Sequence, residues 1–241
     1  MMSHARRFPG FMAIGFLVIS LVHIHAVVSV AADAETKRPN ILFIYTDDHS
    51  YRTVGCYPDS FDWVRTPAID RLAQRGMRFD AAYIGTWCMP SRGESAHGTS
   101  SVRRRINANG GGLSGSAYDP EQCPFWPSVF RQQGYVTGQI GKWHTGTDTG
   151  FGRDWDYQLV WNRPLHTSTA GHYYYDQPIT YHGGETKILE RYSTDQYSDW
   201  AIDFIRGEGR DPDKPWYLWL CYGAVHGPTR PLIGISTICG R

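Results

Sequence analysis

The chain has 241 residues, a formal net charge of +1 and 20% charged residues. Because so even a charge balance gives no general attraction to polyanions, neither nucleic acid nor an anionic membrane surface is expected as a partner. A chain of this length can bury one good core or form part of a larger α/β domain. Its five cysteines contain no CxxC pair, so a zinc site is not expected, and their odd number leaves at least one outside any internal disulfide.

The N-terminus has the layout of a secretory signal peptide. A basic opening is followed by an apolar run over residues 11–30 and then by small residues. This layout predicts a signal peptide over residues 1–34, cleaved after Ala31 or Ala34, and therefore an exported protein in the periplasm, outside the cell or in a secretory lumen. The alternative is an uncleaved membrane anchor, since the apolar run is long. With cleavage, no stable membrane partner is expected.

The first part of the mature chain predicts a strand, a helix and a strand. NILFIYTDD, residues 40–48, is apolar on both faces until its polar end, which is typical of a buried strand in a parallel sheet. Thr66 is an N-cap candidate before a proline, and Gly76 supplies a stop, so a helix is predicted between them. MRFDAAY, residues 77–83, is predicted as a second strand.

The rest of the chain continues the alternation of strand and helix. Helices are predicted where a proline or threonine start and a glycine stop enclose a suitable pattern, and strands where apolar residues run continuously. The predicted segments are a glycine-rich loop over 106–124, a short helix over 127–133, a strand over 135–141, long surface loops over 145–192, a helix from Thr194 to Gly207 and a last buried strand within 215–228.

This alternation predicts an α/β fold with a mainly parallel sheet flanked by helices. In such sheets ligands bind beyond the carboxyl ends of the strands. Three predicted strands end in reactive side chains, so we expect these ends to form one site. The side chains are those of Asp47 and Asp48, Lys142 and His144, and His226.

These groups suggest two kinds of chemistry. The adjacent carboxylates of Asp47 and Asp48 repel each other unless a cation such as Ca²⁺ or Mg²⁺ lies between them, although a solvated Asp-Asp turn is the alternative. The ammonium of Lys142 and the imidazole of His144 suit an anionic substrate and a proton transfer, with an exposed basic turn as the alternative. His226 taken alone is more typical of a structural histidine.

Four segments, in their order along the chain, point to a protein family. They are RPNILFIYTDDHS, CMPSR, GKWHTG and KPWYLWLCYGAVHGP. Together they resemble the sulfatases of the alkaline-phosphatase-like superfamily, over residues 38 to about 230. The CxPSR pentapeptide at residues 88–92 is the most specific of the four. The resemblance implies an alkaline-phosphatase-like fold and a sulfuric ester hydrolase of the arylsulfatase type.

The resemblance implies a specific role for Cys88. In sulfatases the cysteine of this motif is oxidised to formylglycine by a formylglycine-generating enzyme, which reads the Cys, Pro and Arg that Cys88, Pro90 and Arg92 match. The aldehyde hydrates, one hydroxyl attacks sulfur and displaces the alcohol, and the second hydroxyl then expels sulfate. A plain serine or cysteine ester lacks that second hydroxyl, so the modification explains turnover.

The resemblance also implies a metal. Asp47, Asp48 and the modified Cys88 would hold Ca²⁺, with Mg²⁺ as the alternative, and the cation would neutralise the sulfate oxygens. Arg92 would hold the hydrated aldehyde in place.

The remaining motif residues are implied to act on the substrate, a sulfated small molecule or glycan. Lys142 and His226 would bind sulfate oxygens, and His144 would take the proton when sulfate leaves. The aromatic residues Trp155, Trp161 and Tyr173 to Tyr175 could stack on sugar rings, or could simply pack beneath long loops.

Two departures from the family pattern lower the expected activity. GESAHGTSS, residues 93–101, lacks an apolar face, so we expect a weakened helix after the motif. The family's later metal-binding carboxylate and substrate-binding lysine have no counterpart before Arg241. Residues 35–241 are therefore expected to be an incomplete N-terminal portion of the catalytic domain, truncated before its C-terminal part and impaired in activity. The alternatives are a phosphonate or phosphate diester hydrolase of the same superfamily and an inactive exported remnant.

Overall fold

The computed structural model describes most of the chain between residues 38 and 227. The predicted signal peptide and glycine-rich loop lie outside the described residues. Among the described residues, no helix is both long and apolar enough to cross a bilayer. The described ranges are 38–85, 87–97, 125–169 and 171–227, without the side chains at 94, 96 and 97.

Within these ranges, six strands form one sheet at the centre of the fold. They are β1 (Ile41–Tyr45), β2 (Val136–Trp143), β3 (Tyr157–Asn162), β4 (Gln177–Tyr181), β5 (Thr186–Leu189) and β6 (Trp216–Cys221). Their order across the sheet is β1-β6-β2-β3-β4-β5. The first four of these pair in parallel, and β4 and β5 are added antiparallel. The predicted α/β fold with a mainly parallel sheet is therefore confirmed.

Four α-helices accompany the sheet in the described part of the chain. They are α1 (Pro67–Arg75), α2 (Cys88–His97), α3 (Trp126–Gln132) and α4 (Ser193–Arg206). The glycine stops predicted for α1 and α4 are confirmed, since Gly76 and Gly207 follow their last residues. The helix α2 continues through Gly93 despite the poor helix-forming sequence there.

Three predictions about strands are wrong. The strand β1 is not buried on both faces, because it lies at the edge of the sheet with Leu42 41% and Ile44 50% exposed. Residues 77–83 form no strand. The segment 145–192 is not a set of long surface loops, because it contains β3, β4 and β5.

The core lies on both faces of the sheet, because side chains alternate along each strand. On one face Leu218 and Leu220 of β6 pack in a cluster with Phe204 of α4. On the other face Tyr217 and Trp219 of β6 pack in a second cluster, which includes side chains near α3. Two apolar layers thus hold β6 and its neighbours in place, and fix the positions at which these strands end.

Candidate active site

Three neighbouring strands end at the candidate site. Because β1, β6 and β2 are adjacent and parallel, their carboxyl ends lie at one edge of the sheet. Two backbone hydrogen bonds join the segments that follow β1 and β6, from Asp47 N to Ala224 O at 2.9 Å and from Val225 N to Asp47 O at 2.8 Å. Asp48 has a left-handed backbone (φ 54°), so the chain turns directly after Asp47. Such a turn is required if both carboxylates are to serve one site.

Gly141 allows β2 to pass close to β6 just before the site. Its φ is +100°, and a Cβ at this position would collide with the carbonyl oxygen of Cys221. Only glycine accepts this conformation without strain and leaves room for that oxygen. The close passage of β2 places the next residue, Lys142, at the edge of the sheet with 1% of its surface exposed.

Asp47 is a buried carboxylate held between two buried cations. Its Oδ2 accepts a hydrogen bond from Lys142 Nζ and lies 3.5 Å from Arg92 Nη2. Asp47 is 2% exposed and Arg92 is fully buried. One carboxylate between two cations leaves one positive charge in excess, which favours the binding of an anion nearby.

Arg92 connects the start of α2 to the ends of three strands. It lies one helical turn after Cys88 and therefore on the same face of α2. Its Nη1 donates to the carbonyl of Lys142 (3.1 Å), and its Nη2 donates to that of Tyr222 (3.4 Å). The guanidinium also lies over the ring of Tyr45, 4.9 Å from its centroid. These contacts fix the first turn of α2, and with it Cys88, at the candidate site.

Cys88, His144 and Arg163 form a line of contacts. The Sγ of Cys88 lies 3.2 Å from Nδ1 of His144, and Nε2 of the same ring lies 2.8 Å from Nη1 of Arg163. Burial, followed by the nearby charges of Lys142 and Arg163, lowers the pKa of His144 to about 2. The imidazole is therefore neutral at physiological pH.

Tyr173 joins Lys142 to His226. Its ring stacks on the imidazole of His226 with 3.9 Å between centroids, and its hydroxyl lies 3.1 Å from His226 Nε2 and 3.5 Å from Lys142 Nζ. Burial and then the charge of Arg92 lower the pKa of Lys142 to about 8, so the amine stays mostly protonated at neutral pH. His226 Nε2 also lies 3.5 Å from Asp48 Oδ2.

The described residues offer part of a ligand set for a metal ion. The carboxylates of Asp47 and Asp48 are the hard oxygen donors that Ca²⁺ and Mg²⁺ prefer, and the exposed side chain of Asp48 is accessible. These cations take six or more ligands, however, and no group of three or more His, Cys, Asp or Glu side chains within the described ranges is arranged to hold one. The donor chemistry fits a divalent cation, but a full coordination shell needs further ligands.

All seven predicted site residues lie in this one cluster, and four further residues belong to it. Sequence reasoning missed Arg163, which contacts His144, and also the Tyr45 and Tyr222 contacts of Arg92. It named Tyr173 only as an aromatic residue that could stack on a sugar ring, and not as a contact of His226. Arg163 directly follows β3. The expectation that reactive side chains at the carboxyl ends of strands form the site would therefore have included Arg163 if β3 had been predicted. Of the two alternatives for Trp155 and Trp161, the structure supports packing over sugar stacking, because both rings are fully buried in the core.

The mainly parallel sheet, with the site at the carboxyl ends of its strands, fits the alkaline-phosphatase-like α/β class. Within this class the sulfatase family profile matches residues 39–231. The chain therefore belongs to the sulfatase family, as the four sequence segments predicted.

Curated relatives agree with this assignment. The chain is 34% identical over 193 residues to the N-acetylglucosamine-6-O-sulfatase of Bacteroides thetaiotaomicron, covering 80% of this chain and 31% of that protein. It is 26% identical over 238 residues to the human N-acetylgalactosamine-6-sulfatase, covering 86% of this chain and 44% of the relative. The chain thus spans 31% and 44% of the lengths of these two relatives.

Solved structures show the same fold. A protein in complex with its substrate D-glucosamine-2-N,6-O-disulfate superposes with a TM-score of 0.68 and 30% identity, over 81% of this chain and 36% of that chain. A second, Ps i-CgsB in complex with k-i-k-neocarrahexaose, gives a TM-score of 0.68 at 24% identity over 84% of this chain and 48% of that one. At this lower identity the likeness shows the fold alone.

Proposed function

We propose that this chain carries the nucleophile-bearing part of a sulfuric ester hydrolase site, with position 88 as the nucleophile. The observation that carries the proposal is the setting of Cys88. Its Sγ faces His144 at 3.2 Å from the first turn of α2, on the same helix face as the fully buried Arg92. A half-buried reactive group beside fixed cations suits attack on an anionic ester.

The buried cations provide the binding of the anion. Among the described residues, Lys142 and Arg92 form ion pairs with the carboxylate of Asp47 alone, so their excess positive charge is available to the oxygens of a sulfate group. His226 is held at the same edge by its stack on Tyr173 and by the hydrogen bond from Tyr174 to its carbonyl (2.7 Å). These groups are preorganised by packing, so they would stabilise developing negative charge with little rearrangement.

Two groups would complete the chemistry. Conversion of Cys88 to formylglycine by a formylglycine-generating enzyme would supply a hydrated aldehyde, whose second hydroxyl allows sulfate to be released. Asp47 and Asp48, with position 88, would contribute to the binding of Ca²⁺ or Mg²⁺, which would neutralise sulfate oxygens. Arg92 would then orient the oxygen atoms at position 88, since its guanidinium is fixed by the carbonyls of Lys142 and Tyr222.

A sulfated sugar is the proposed substrate class, and export is the proposed location. The substrate proposal is supported by the curated relatives, whose names describe sulfatases of N-acetylglucosamine and N-acetylgalactosamine. The location proposal rests on the layout of residues 1–34. Sequencing the N-terminus of the mature protein tests it, and a start at Ala32 or Glu35 is expected.

Substrate assays with matched cysteine variants test the proposed activity. The full chain, produced together with a formylglycine-generating enzyme, is offered glucosamine-6-sulfate, an aryl sulfate and an aryl phosphate diester. We expect sulfate release by the wild type and by the control variant Cys56→Ala, because Cys56 lies outside the site. In Cys88→Ala the rate of sulfate release should fall by about a thousand-fold or more. Hydrolysis of the phosphate diester alone would assign the other enzymatic function, and no hydrolysis of any substrate would contradict the proposal.

A further inference from the structure

Arg163 is a cation that the sheet fixes beside the candidate active site. The strands β2 and β3 pair with Trp143 opposite Asn162, so the residues that follow, His144 and Arg163, lie side by side at the carboxyl edge of the sheet. The backbone N–H of Arg163 donates to the carbonyls of Trp143 (3.3 Å) and Trp161 (3.1 Å). The end of the sheet therefore sets the position of this residue.

The side chain of Arg163 lies against two residues of the site. Its Nη1 is 2.8 Å from His144 Nε2, and its guanidinium carbon is 5.9 Å from the centroid of the Tyr173 ring. The other ring nitrogen of His144 contacts Cys88, and Tyr173 stacks on His226. Arg163 thus stands one imidazole ring away from position 88, beside the place where the reacting sulfate would bind.

Exposure distinguishes Arg163 from the other two cations of the site. Arg92 and Lys142 are almost completely buried and share the carboxylate of Asp47. Arg163 is half-buried, so part of its guanidinium is accessible from solvent. A guanidinium carries its N–H donors in a planar fork, which matches two oxygens of one carboxylate or sulfate.

A cation in this position suits a substrate that carries two anionic groups. We propose that Arg163 is a specificity-determining residue, which binds a second anionic group, a sulfate or a carboxylate, on the sugar substrate. The span from position 88 across the His144 ring to Arg163 is comparable with the separation of two substituents on one sugar ring or on neighbouring rings. The proposal rests on the proposed function in that the first sulfate lies beside position 88.

Binding measurements test this proposal without turnover. In the full chain with Cys88→Ala and millimolar Ca²⁺, titration calorimetry compares glucosamine-6-sulfate with three dianionic sugars. Two of these carry a second sulfate, on the 2-amino or the 3-hydroxyl group, and the third is glucosamine-6-sulfate joined to glucuronic acid. We expect at least one dianionic sugar to bind about ten-fold or more tightly than glucosamine-6-sulfate. A gain with a disulfated sugar assigns the second group as sulfate, and a gain with the disaccharide assigns it as carboxylate.

Variants of arginine residues show whether Arg163 causes the gain. In the Cys88→Ala background, Arg163→Gln should remove the gain and change the affinity for glucosamine-6-sulfate by about three-fold or less, since the buried cations remain. Arg163→Lys keeps the charge but loses the fork, so it should retain only part of the gain. Arg131→Gln is the control and should retain all of it, because Arg131 pairs with Asp156 at 2.7 Å outside the site.

Two results would overturn the proposal. One is that no dianionic sugar binds more tightly than glucosamine-6-sulfate. The other is that Arg163→Gln weakens every sugar by the same factor, which would mean that Arg163 only supports the structure of the site. A gain that Arg163→Gln removes, in a chain whose matured wild type releases no sulfate, would refute the proposed function and leave the assignment of Arg163 standing. Sulfate release without any gain would refute the assignment of Arg163 alone.

Discussion

Replacement of Asp47 by asparagine should lower the free energy of unfolding by about 3–5 kcal/mol, the range typical for removal of one partner from a buried ion pair. In the native protein the Asp47 carboxylate is the counter-charge to both Lys142 and Arg92, and all three side chains are almost completely buried. Asparagine keeps the size and a hydrogen-bonding oxygen but removes the charge. Two cations would then remain buried beside each other without an anion.

The expected loss in the free energy of unfolding can be compared with the total stability of a typical domain. A domain is typically stable by about 5–15 kcal/mol, so this one substitution would remove roughly a fifth or more of the stability of a typical domain. Urea unfolding followed by tryptophan fluorescence gives the difference as a change in midpoint at constant slope. The double variant Asp47→Asn with Lys142→Met should recover part of the loss, because one uncompensated cation is removed with the anion.

Asp48→Asn is the matched control for this experiment. The side chain of Asp48 is 57% exposed and its ion-pair contact with His226 is 3.5 Å long, so its loss should change stability by about 1 kcal/mol or less. If the two asparagine variants unfold at the same urea concentration, the buried ion cluster does not stabilise the site and the reasoning is refuted.

Three further predictions concern the backbone, pH and metal. In urea unfolding, Gly141→Ala should destabilise the protein by at least about 2 kcal/mol. Gly152→Ala is the matched control and should cost about 1 kcal/mol, because Gly152 shares a positive φ but has no atom within 4 Å of the place that the added methyl group would take. Burial raises the pKa of the Cys221 thiol from 9.0 to about 12, so between these pH values the native state keeps a proton that the unfolded state loses. The melting temperature should therefore fall between pH 9 and 12, and it should fall by more in the wild type than in Cys221→Ser. Millimolar Ca²⁺ should raise the melting temperature of the wild type, and raise it less in Asp48→Asn, if the carboxylates bind the cation.

Each of these three has a clear contrary result. Equal losses in the two alanine variants would show that the approach of β2 to Cys221 is not tight. A fall in melting temperature with pH that is the same in Cys221→Ser would assign that fall to other groups. Equal responses to Ca²⁺ in the wild type and in Asp48→Asn would exclude Asp48 from metal binding.

The sequence predicts those elements whose signals are local. Continuous apolar runs locate β1 and β6, and a proline or threonine start with a glycine stop locates α1 and α4. The exposure of Leu42 and Ile44 could not be predicted, because it depends on which strand lies beside β1 and not on the apolar character of the residues. MRFDAAY has the composition of a strand but has no pairing partner in the described structure.

The strands β3 to β5 were missed because their polar residues conceal them. Gln158 and Gln177 are fully buried, and each is satisfied by hydrogen bonds with a loop, for example from Gln158 Nε2 to Thr149 O at 3.1 Å. Such partners lie in irregular segments outside the strands and give no periodic signal. Missing β3 also meant missing Arg163, whereas Lys142, near the end of β2, and His226, shortly after β6, were found because both strands were predicted.

The mass of residue 88 tests the central claim most directly. The tryptic peptide over residues 79–92 contains Cys88, and the full chain is produced with a formylglycine-generating enzyme before digestion. The proposed function predicts that this peptide carries an aldehyde in place of the thiol, captured by a hydrazide reagent in the wild type and absent from Cys88→Ala. A peptide that keeps its unmodified thiol, while a known substrate of the same maturation enzyme is converted in parallel, would contradict the assignment of position 88 as a sulfatase nucleophile.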